Sequence, residues 1–233
     1  KSIYTTLWIN AGRLIFVFPV PIILALMFNE VRLGRSKKIL QSIFTFPHFL
    51  SWVIVGSIMI SVLGQRGVVN SILTLLFGTE PIGFLGTPAY FQPIVYLTDI
   101  WKSTGWSAII YLAAISGIDT EQYQAAEIDG STRLQRIWYI TLPGIKPTII
   151  VLFILAVGNL MSGGFDQIFN LSNPATIRVA EILDMYIYRI TFRGSVDFSF
   201  SAAVALFRSV INLLLLLTAD RITKRIDGSG LLA

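Results

Sequence analysis

Apolar stretches of roughly membrane-spanning length recur along the chain, separated by short polar segments. A bilayer core of ~30 Å needs about 20 mostly apolar residues in helical conformation. Five stretches approach this length, at residues 7–28, 47–63, 93–118, 145–169 and 200–219. Pro19 and Pro21 predict a kink in the first, and Gly163-Gly164 predicts a bend in the fourth. The pattern predicts an all-α, polytopic membrane bundle of about five transmembrane helices, forming one domain over residues 1–233.

The composition supports a lipid environment. Hydrophobic residues make up 54% of the 233 residues and charged residues only 13%, against roughly 25% charged in an average soluble domain. The net charge of +5 would suggest nucleic-acid binding in a soluble protein. Here the charges lie between the apolar stretches, so they indicate membrane topology and no nucleic-acid partner.

Lysine and arginine are distributed unevenly between the two sides of the predicted bundle. Ten follow the first, third and fifth stretches: Arg32, Arg35, Lys37, Lys38, Arg133, Arg136, Lys146, Arg221, Lys224 and Arg225. Five belong to the other side: Lys1, Arg66, Arg178, Arg189 and Arg193. Because loops rich in Lys and Arg stay in the cytoplasm, the chain is expected to start outside and to end in the cytoplasm.

The chain offers little catalytic or metal-binding chemistry. It has no cysteine and one histidine, His48, so neither a disulfide framework nor a transition-metal site is expected. It has no Gly-x-x-x-x-Gly-Lys-Ser/Thr motif, so nucleotide binding is not expected either. We predict no catalytic residue and no cofactor in this chain.

The most informative polar segment is the loop 119–144, between the third and fourth stretches. Asp119 or Thr120 can cap a helix, and Gly130 suits a left-handed helix end. Ser131 can cap a second helix, which the Leu-Pro-Gly run at the end of the loop would terminate. We predict a short cytoplasmic helix–turn–helix, although an ordinary amphipathic loop of any membrane protein would show a similar pattern. A DNA-reading role is disfavoured because spans flank the loop on both sides.

This loop resembles the EAA loop of type I ABC importer permeases. The shared positions are Ala125-Ala126, Asp129-Gly130, Ile140 and Leu142-Pro143, with Gly130 and Ile140 at the spacing of that motif. Other segments are similar to the carbohydrate branch of the family, at residues 18–26, 29–32 and 47–53. Residues 184–189 and 202–206 resemble permeases for uronate-containing oligosaccharides such as alginate or aldouronate.

The resemblance implies a permease subunit of an ATP-driven, binding-protein-dependent importer of a carbohydrate, with an acidic oligosaccharide as one expected cargo. It implies a bacterial cytoplasmic membrane location among lipids. The implied partners are a second permease (identical or paralogous), a dimer of ABC ATPases that bind ATP and Mg²⁺, and an external solute-binding protein. In such permeases the loop sits in a cleft of the ATPase. The implied coupling residues are Tyr123, Gln124, Ala125, Ala126, Asp129, Gly130, Ile140, Leu142 and Pro143.

Two features depart from the family pattern. Gln124 stands where the family usually has Glu, so a hydrogen bond or packing is expected there in place of an ion pair. Permeases of this kind resemble six-span subunits, whereas five stretches are found here. The family pattern would place a further span before Lys1, which suggests an N-terminally shortened chain.

Charged and aromatic residues within the stretches are candidates for the transport path. Charges at membrane depth are costly and usually face a bundle interior or a wet cavity. Asp99 and Lys102 are three residues apart and are predicted to pair on one helix face. The candidate path residues are Asp99, Lys102, Trp106, Asn159 and Asp166, and the cations considered for acidic cargo are Arg13, Lys102 and Arg208. Structural pairing and helix packing are the competing interpretation.

Three other functions compete with this interpretation. An ion-coupled secondary transporter would show inverted repeats and intramembrane carboxylates, and no repeat is evident in the sequence. An intramembrane enzyme would need clustered His, Asp, Ser or metal ligands. An ABC permease for a non-sugar solute, such as phosphate or an amino acid, stays open because the loop motif does not specify the cargo.

Overall fold

The computed structural model describes residues 1–31, 34–193 and 198–228, and the regular structure in these ranges is helical. The helices in chain order are α1 (Ser2–Phe16), α2 (Pro19–Glu30), α3 (Gly34–Thr45), α4 (Trp52–Leu63), α5 (Val68–Phe77), α6 (Pro88–Ser116), α7 (Thr120–Ile128), α8 (Arg133–Arg136), α9 (Leu142–Gly158), α10 (Phe165–Leu171), α11 (Ile177–Ala180), α12 (Leu183–Arg193) and α13 (Phe198–Asp227). The predicted all-α fold is confirmed.

Several helical segments have the length and composition of membrane spans. Within the described residues, four are long and apolar enough to cross a bilayer: Ser2–Glu30, Trp52–Phe77, Arg133–Gly158 and Phe198–Arg225. Helix α6 has 29 residues, about 43 Å at 1.5 Å per residue, but its middle from Asp99 to Ser107 is polar. It contacts α1, α2, α3, α9, α10 and α11. The polar middle of α6 is therefore at the centre of the bundle, where protein covers much of it.

The first span is broken between α1 and α2, at Val17-Phe18. The amide groups of Val17 and Phe18 both donate to the carbonyl oxygen of Arg13, at 2.9 Å. Pro19 begins α2, where its missing N–H removes no helical hydrogen bond. The predicted kink is present, and it separates α2, which packs along α6, from α1, which also contacts α12.

The second candidate span, Trp52–Phe77, extends past the predicted stretch 47–63, and a further helix, α3, precedes it. A 3₁₀ turn, Phe46–Phe49, joins α3 to α4. Residues of α3 and α4 contact α6 in reverse order. Leu63 and Ile94 line one cavity, His48 meets Lys102, and Phe44 meets Gly105. α3 and α4 thus lie antiparallel to α6. The prediction missed α3 because basic residues at 35–38 and Gln41 interrupt its apolar run.

The fourth predicted stretch, 145–169, forms two helices. α9 ends at Gly158, where an added Cβ would lie 2.9 Å from the side chain of Leu216 in α13. Gly163 and Gly164 then adopt left-handed conformations, with φ of +99° and +87°, before α10 begins. Because glycine adopts such angles at little cost, this pair permits the predicted change of direction, and the helix is interrupted there instead of merely bent.

Two buried apolar clusters hold the helices together. One includes Ile9, Val95 and Ile168, from α1, α6 and α10. The other includes Ala25, Ala108 and Ile145, from α2, α6 and α9. Both clusters use α6, and its polar middle lies between them. The polar middle of α6 is therefore flanked by an apolar cluster on each side.

Candidate functional site

The first helix of the loop 119–144 has the predicted ends. The Asp119 carboxylate accepts a hydrogen bond from the amide of Glu121 at 2.9 Å and caps α7. Gly130 has φ of +76°, and the next amide, that of Ser131, donates to the carbonyl of Ala126 at 2.9 Å. This closure satisfies a carbonyl at the helix end and turns the chain toward α8.

The second helix of the loop differs from the prediction at both ends. Thr132, and not Ser131, is the N-cap, because Thr132 and Gln135 form a reciprocal capping box. Leu142-Pro143 does not stop the helix. A π turn over Ile137–Thr141 connects α8 to α9, so that Arg133–Gly158 forms one helical segment. Such a wide turn accommodates an altered hydrogen-bond pattern, and Pro143 near the start of α9 is tolerated for the same reason as any proline in a first turn.

Three side-chain contacts hold α7 and α8 in place, and one of them, Arg133 with Glu30, joins the loop to α2. The Tyr123 hydroxyl lies 2.9 Å from Oγ1 of Thr141, a buried residue in the π turn. Arg136 lies 3.5 Å from Glu127, which joins α8 to α7. Arg133 lies 3.9 Å from Glu30, at the end of α2. The orientation of α7 is thereby tied to both the first and the fourth spans.

Most of the coupling residues predicted from the resemblance lie on the surface of this loop. Gln124, Ala125, Asp129, Gly130 and Pro143 are exposed, whereas Tyr123, Ala126, Ile140 and Leu142 are half-buried. Ile128 is 87% exposed and Tyr139 is 79% exposed. A cleft of about 520 Å³ between the end of α6 and the loop is lined partly by Ile140 and Pro143. The loop therefore presents apolar surface that the described residues of this chain leave uncovered.

A second polar site lies around Arg13, between α1, α6 and α10. Arg13 Nε is 3.3 Å from Oδ2 of Asp99, and its Nη atoms donate to Asn10 and Gln167. Gln167 Nε2 in turn donates to Thr98 Oγ1 at 2.9 Å. The sequence analysis did not identify Asn10, Thr98 or Gln167, although Asn10 is a polar residue among apolar neighbours and Gln167 adjoins the candidate Asp166.

A third polar site centres on Lys102, one turn further along α6. Lys102 Nζ donates to the carbonyl oxygen of His48 at 2.6 Å and lies 5.4 Å from the centroid of the Trp52 ring. Trp106 stacks on the His48 ring with centroids 4.7 Å apart. The main contacts of Asp99 and Lys102 lie elsewhere: Asp99 faces Arg13, and Lys102 donates to the carbonyl of His48. Asp99 bonds to Arg13 and accepts from Ser103.

The remaining path candidates are spread over the molecule. Asn159 is exposed beside the break after α9, and it shares a cavity of about 240 Å³ with Arg13. Asp166 is exposed in the first turn of α10. Arg208 pairs with Asp184 of α12. The structure brings Lys102 and Trp106 together and Asp99 next to them, but it does not gather all five predicted residues in one pocket.

Comparisons with known proteins identify relatives along almost the whole chain. The family model for the binding-protein-dependent transport system inner membrane component matches residues 18–228. The polygalacturonan/rhamnogalacturonan transport system permease protein YteP of Bacillus subtilis is 42% identical, over 97% of this chain and 70% of that protein. Protein LplB of the same organism is 42% identical, over 99% and 72% of the two chains.

Solved structures give the same answer. A chain of a bacterial alginate ABC transporter, in complex with its alginate pentasaccharide-bound periplasmic protein, has a TM-score of 0.93 and 39% identity. The match covers 99% of this chain and 80% of that one. A secondary transporter and an intramembrane enzyme are thereby excluded. This chain belongs to the family of binding-protein-dependent transport system inner membrane components, and it is a permease of an ABC importer and not the ATPase.

Proposed function

We propose that this chain moves a carbohydrate into the cytoplasm by alternating access, with an acidic oligosaccharide as the cargo. The observation that carries the proposal is its 42% identity to a permease named for polygalacturonan and rhamnogalacturonan. The alginate importer, described as importing an acidic polysaccharide, supports an acidic cargo. No described feature favours a phosphate or amino-acid cargo.

The chain works with partners. A second permease, identical or paralogous, completes the transport path, and a dimer of ABC ATPases binds ATP and Mg²⁺. An external solute-binding protein delivers the sugar, as supported by the alginate transporter that was solved with its periplasmic protein. The complex lies in the lipid of the bacterial cytoplasmic membrane. Lys224 and Arg225 in the last turn of α13 support a cytoplasmic C-terminus.

The loop 119–144 couples the permease to the ATPase. Its docking surface consists of Gln124, Ala125, Ala126, Asp129 and Gly130, and Tyr123, Ile140, Leu142 and Pro143 set its angle. Large exposed apolar residues around it, such as Ile128 and Tyr139, support a protein partner, because contiguous apolar surface in water marks an interaction site. ATP binding closes the ATPase dimer and so favours one of two permease conformations.

The path candidates divide into two groups. Trp106, Asn159 and Asp166 have exposed side chains and can reach a cargo molecule. Asp99 and Lys102 are engaged by partners within the chain. We therefore assign direct sugar contact to the first group and a positioning role to the second.

The test is ATPase activity of the complete transporter, reconstituted in proteoliposomes with its binding protein. The sugar panel contains oligogalacturonides and alginate oligosaccharides as acidic members and maltooligosaccharides as neutral ones. Stimulation by the acidic members supports the proposal. Stimulation by neutral sugars alone would remove the acidic cargo, and indifference to every sugar would remove the carbohydrate cargo.

Two glycine variants test the loop in the same assay. Gly130→Trp places a bulky side chain on the docking surface, whereas Gly78→Trp is its matched control. Both glycines have positive φ, +76° and +63°, and neither has an atom within 4 Å of an added Cβ. Gly78 ends α5, away from the loop. Loss of stimulation in Gly130→Trp alone supports ATPase docking, whereas equal loss in both contradicts it.

A further inference from the structure

We propose that one turn of α6, from Asp99 to Lys102, holds three helix breaks, at α1–α2, α3–α4 and α9–α10, and acts as the fixed element about which the helices on either side of each break move. We call this turn the hinge anchor. Arg13 and Lys102 are its positioning residues. The inference rests on the proposed transport function, because it assigns the hinge anchor to the alternating-access step.

Arg13 attaches the first break to the hinge anchor. Its side chain reaches Asp99, with Nε 3.3 Å from Oδ2. Its backbone carbonyl accepts both amides at the break, from Val17 and Phe18. One residue therefore connects the hinge anchor to the point where α1 changes into α2.

The same guanidinium attaches the second break, between α9 and α10. It lies against Gly164, where an added Cβ would be 2.5 Å from both Nη atoms. It also donates to Gln167 in the first turns of α10. Gln167 Nε2 then donates to the carbonyl of Val95, at 2.7 Å, and to Thr98. α10 is consequently bonded to α6 both directly and through Arg13.

Lys102 attaches the third break, between α3 and α4. Its ammonium donates to the carbonyl of His48, in the 3₁₀ turn that separates the two helices, at 2.6 Å. A cation at this point compensates carbonyl groups that the interrupted helix leaves without amide donors. The Trp52 ring, 5.4 Å from Nζ, holds the ammonium from the α4 side.

The energetics of these contacts favour a mechanical role over a purely stabilising one. Arg13 and Asp99 have side chains that are only 16% and 18% exposed, at a depth where charges are costly. A buried ion pair contributes little more than well-packed apolar residues would, but it fixes one specific arrangement. α6 itself is continuous from Pro88 to Ser116, whereas the chain is interrupted between helices at each of the three breaks that contact it.

Space for movement lies next to the breaks. A cavity of about 240 Å³ is lined by Arg13, Val17 and Asn159, among others. A second cavity, of about 220 Å³, is lined by Val17, Phe18 and Thr104, among others. The half-helices can therefore change their angle without displacing a packed core. Close-packed regions elsewhere in the bundle would resist the same movement.

The experiment compares Arg13→Gln and Lys102→Met with the charge-retaining Arg13→Lys. Arg189→Gln is the matched control, because it removes an ion pair, with Glu181, whose arginine is 52% exposed. The first readout is the ratio of binding-protein-stimulated to basal ATPase activity in proteoliposomes. It is measured with oligogalacturonides and, separately, with maltooligosaccharides.

The second readout is a distance that needs no sugar. The chain has no native cysteine, so Ile3→Cys on α1 and Ala89→Cys on α6, both at exposed positions, can carry a spin-label pair. The distance is measured in the complete transporter before and after ATP and vanadate. If no sugar stimulates the transporter, the proposed cargo fails, yet this distance still tests the hinge anchor.

We expect Arg13→Gln and Lys102→Met to lower the ATPase ratio by about fivefold or more, the scale of a typical coupling between sites. The reduction should be the same for every stimulating sugar, and the ATP-dependent distance change should broaden or vanish in Arg13→Gln. Arg13→Lys should fall between, and Arg189→Gln should match the unmodified transporter.

Two outcomes would overturn the proposal. If the ratio and the distance change persist while only thermal stability falls, the contacts are static packing. If ATPase stimulation by the acidic sugars alone is lost, Arg13 or Lys102 is a cargo ligand. Should Arg13→Gln fail to assemble, Asp99→Asn with Arg13→Lys removes the same contact more gently and is judged by the same two readouts.

Discussion

The loop 119–144 and the hinge anchor bury and expose their side chains in opposite ways. The loop exposes large apolar side chains, with Ile128 at 87% and Trp138 at 67% exposure. The hinge anchor encloses charges at membrane depth, with Lys102 only 8% exposed. Each arrangement is unfavourable in its own solvent unless a partner compensates for it.

The two regions find that compensation in different places. The charges of the hinge anchor are satisfied within this chain, by Asp99, by Gln167 and by the carbonyl of His48. The apolar surface of the loop has no such cover among the described residues. The loop is therefore built to respond to another protein, whereas the hinge anchor converts that response into a change of helix angle.

The largest expected effect comes from breaking the Arg13–Asp99 pair on one side only. Arg13→Met leaves a buried carboxylate without its cation and should lower the free energy of unfolding by about 3–5 kcal/mol. The double variant Arg13→Met/Asp99→Leu removes both charges and should lose less than half of that. Thermal and denaturant unfolding of the detergent-solubilised complex would measure both.

The control for this cycle is Arg189→Met, which breaks an ion pair with a half-exposed arginine and should cost at most about 1 kcal/mol. Equal losses in Arg13→Met and in the double variant would mean that the two charges do not depend on each other. The contrast between an internally satisfied site and an exposed one would then be wrong.

A smaller effect separates backbone strain from crowding at the second break. Gly164→Ala and Gly163→Ala both place a Cβ on a residue with positive φ, which costs roughly 1–2 kcal/mol. Only at Gly164 would the new Cβ also collide with Arg13, at 2.5 Å. Gly164→Ala should therefore be less stable than Gly163→Ala by a further ~1–3 kcal/mol, as melting curves would reveal. Equal melting points would mean that Arg13 does not press against this glycine.

The sequence predicted the loop well because its signals are local. The cap at Asp119 and the left-handed turn at Gly130 depend on residues within about one helical turn, and both were found where they were expected. The cap of the second helix was placed one residue too early, at Ser131. The capping-box spacing, with Gln135 three residues after Thr132, distinguishes Thr132 in the sequence itself and was overlooked.

The hinge anchor could not be predicted because its contacts join distant parts of the chain. Arg13 and Gln167 are 154 residues apart, and Lys102 and His48 are 54 apart. Sequence spacing pointed to the nearest opposite charge, Lys102 for Asp99, and so missed Arg13 and the carbonyl of His48 as partners. The polar residues were recognised as unusual at membrane depth, but their partners depend on how the helices pack around α6.

Tyr123 offers a test of how firmly the loop is attached to the fourth span. Tyr123→Phe removes the hydrogen bond with Thr141 and should cost about 1 kcal/mol. It should also reduce binding-protein-stimulated ATPase activity, because α7 loses part of its fixed angle. Tyr4→Phe is the matched control, since Tyr4 is 68% exposed on α1, away from the loop. Similar losses in both variants would mean that the hydroxyl contact does not orient α7.

The smallest expected effect concerns Gln124, the position at which the family usually has Glu. Gln124 is exposed on α7, so Gln124→Glu should change stability by less than about 0.5 kcal/mol. Its effect on ATPase docking depends on what the ATPase cleft presents. An exposed ion pair contributes up to about 1 kcal/mol, or roughly fivefold in affinity, and salt weakens it.

Affinity between the permease and the ATPase, measured at low and high salt for Gln124, Gln124→Glu and Gln124→Ala, separates the possibilities. We expect Glu to match Gln at both salt concentrations and Ala to bind less tightly, because an amide hydrogen bond replaces the family's ion pair here. A salt-sensitive gain with Glu would instead show a basic cleft that this chain does not use. If all three bind alike, the docking depends on the apolar surface around Ile128 and Tyr139. The loop would then be held to its partner almost entirely by hydrophobic burial, in sharp contrast to the charged hinge anchor.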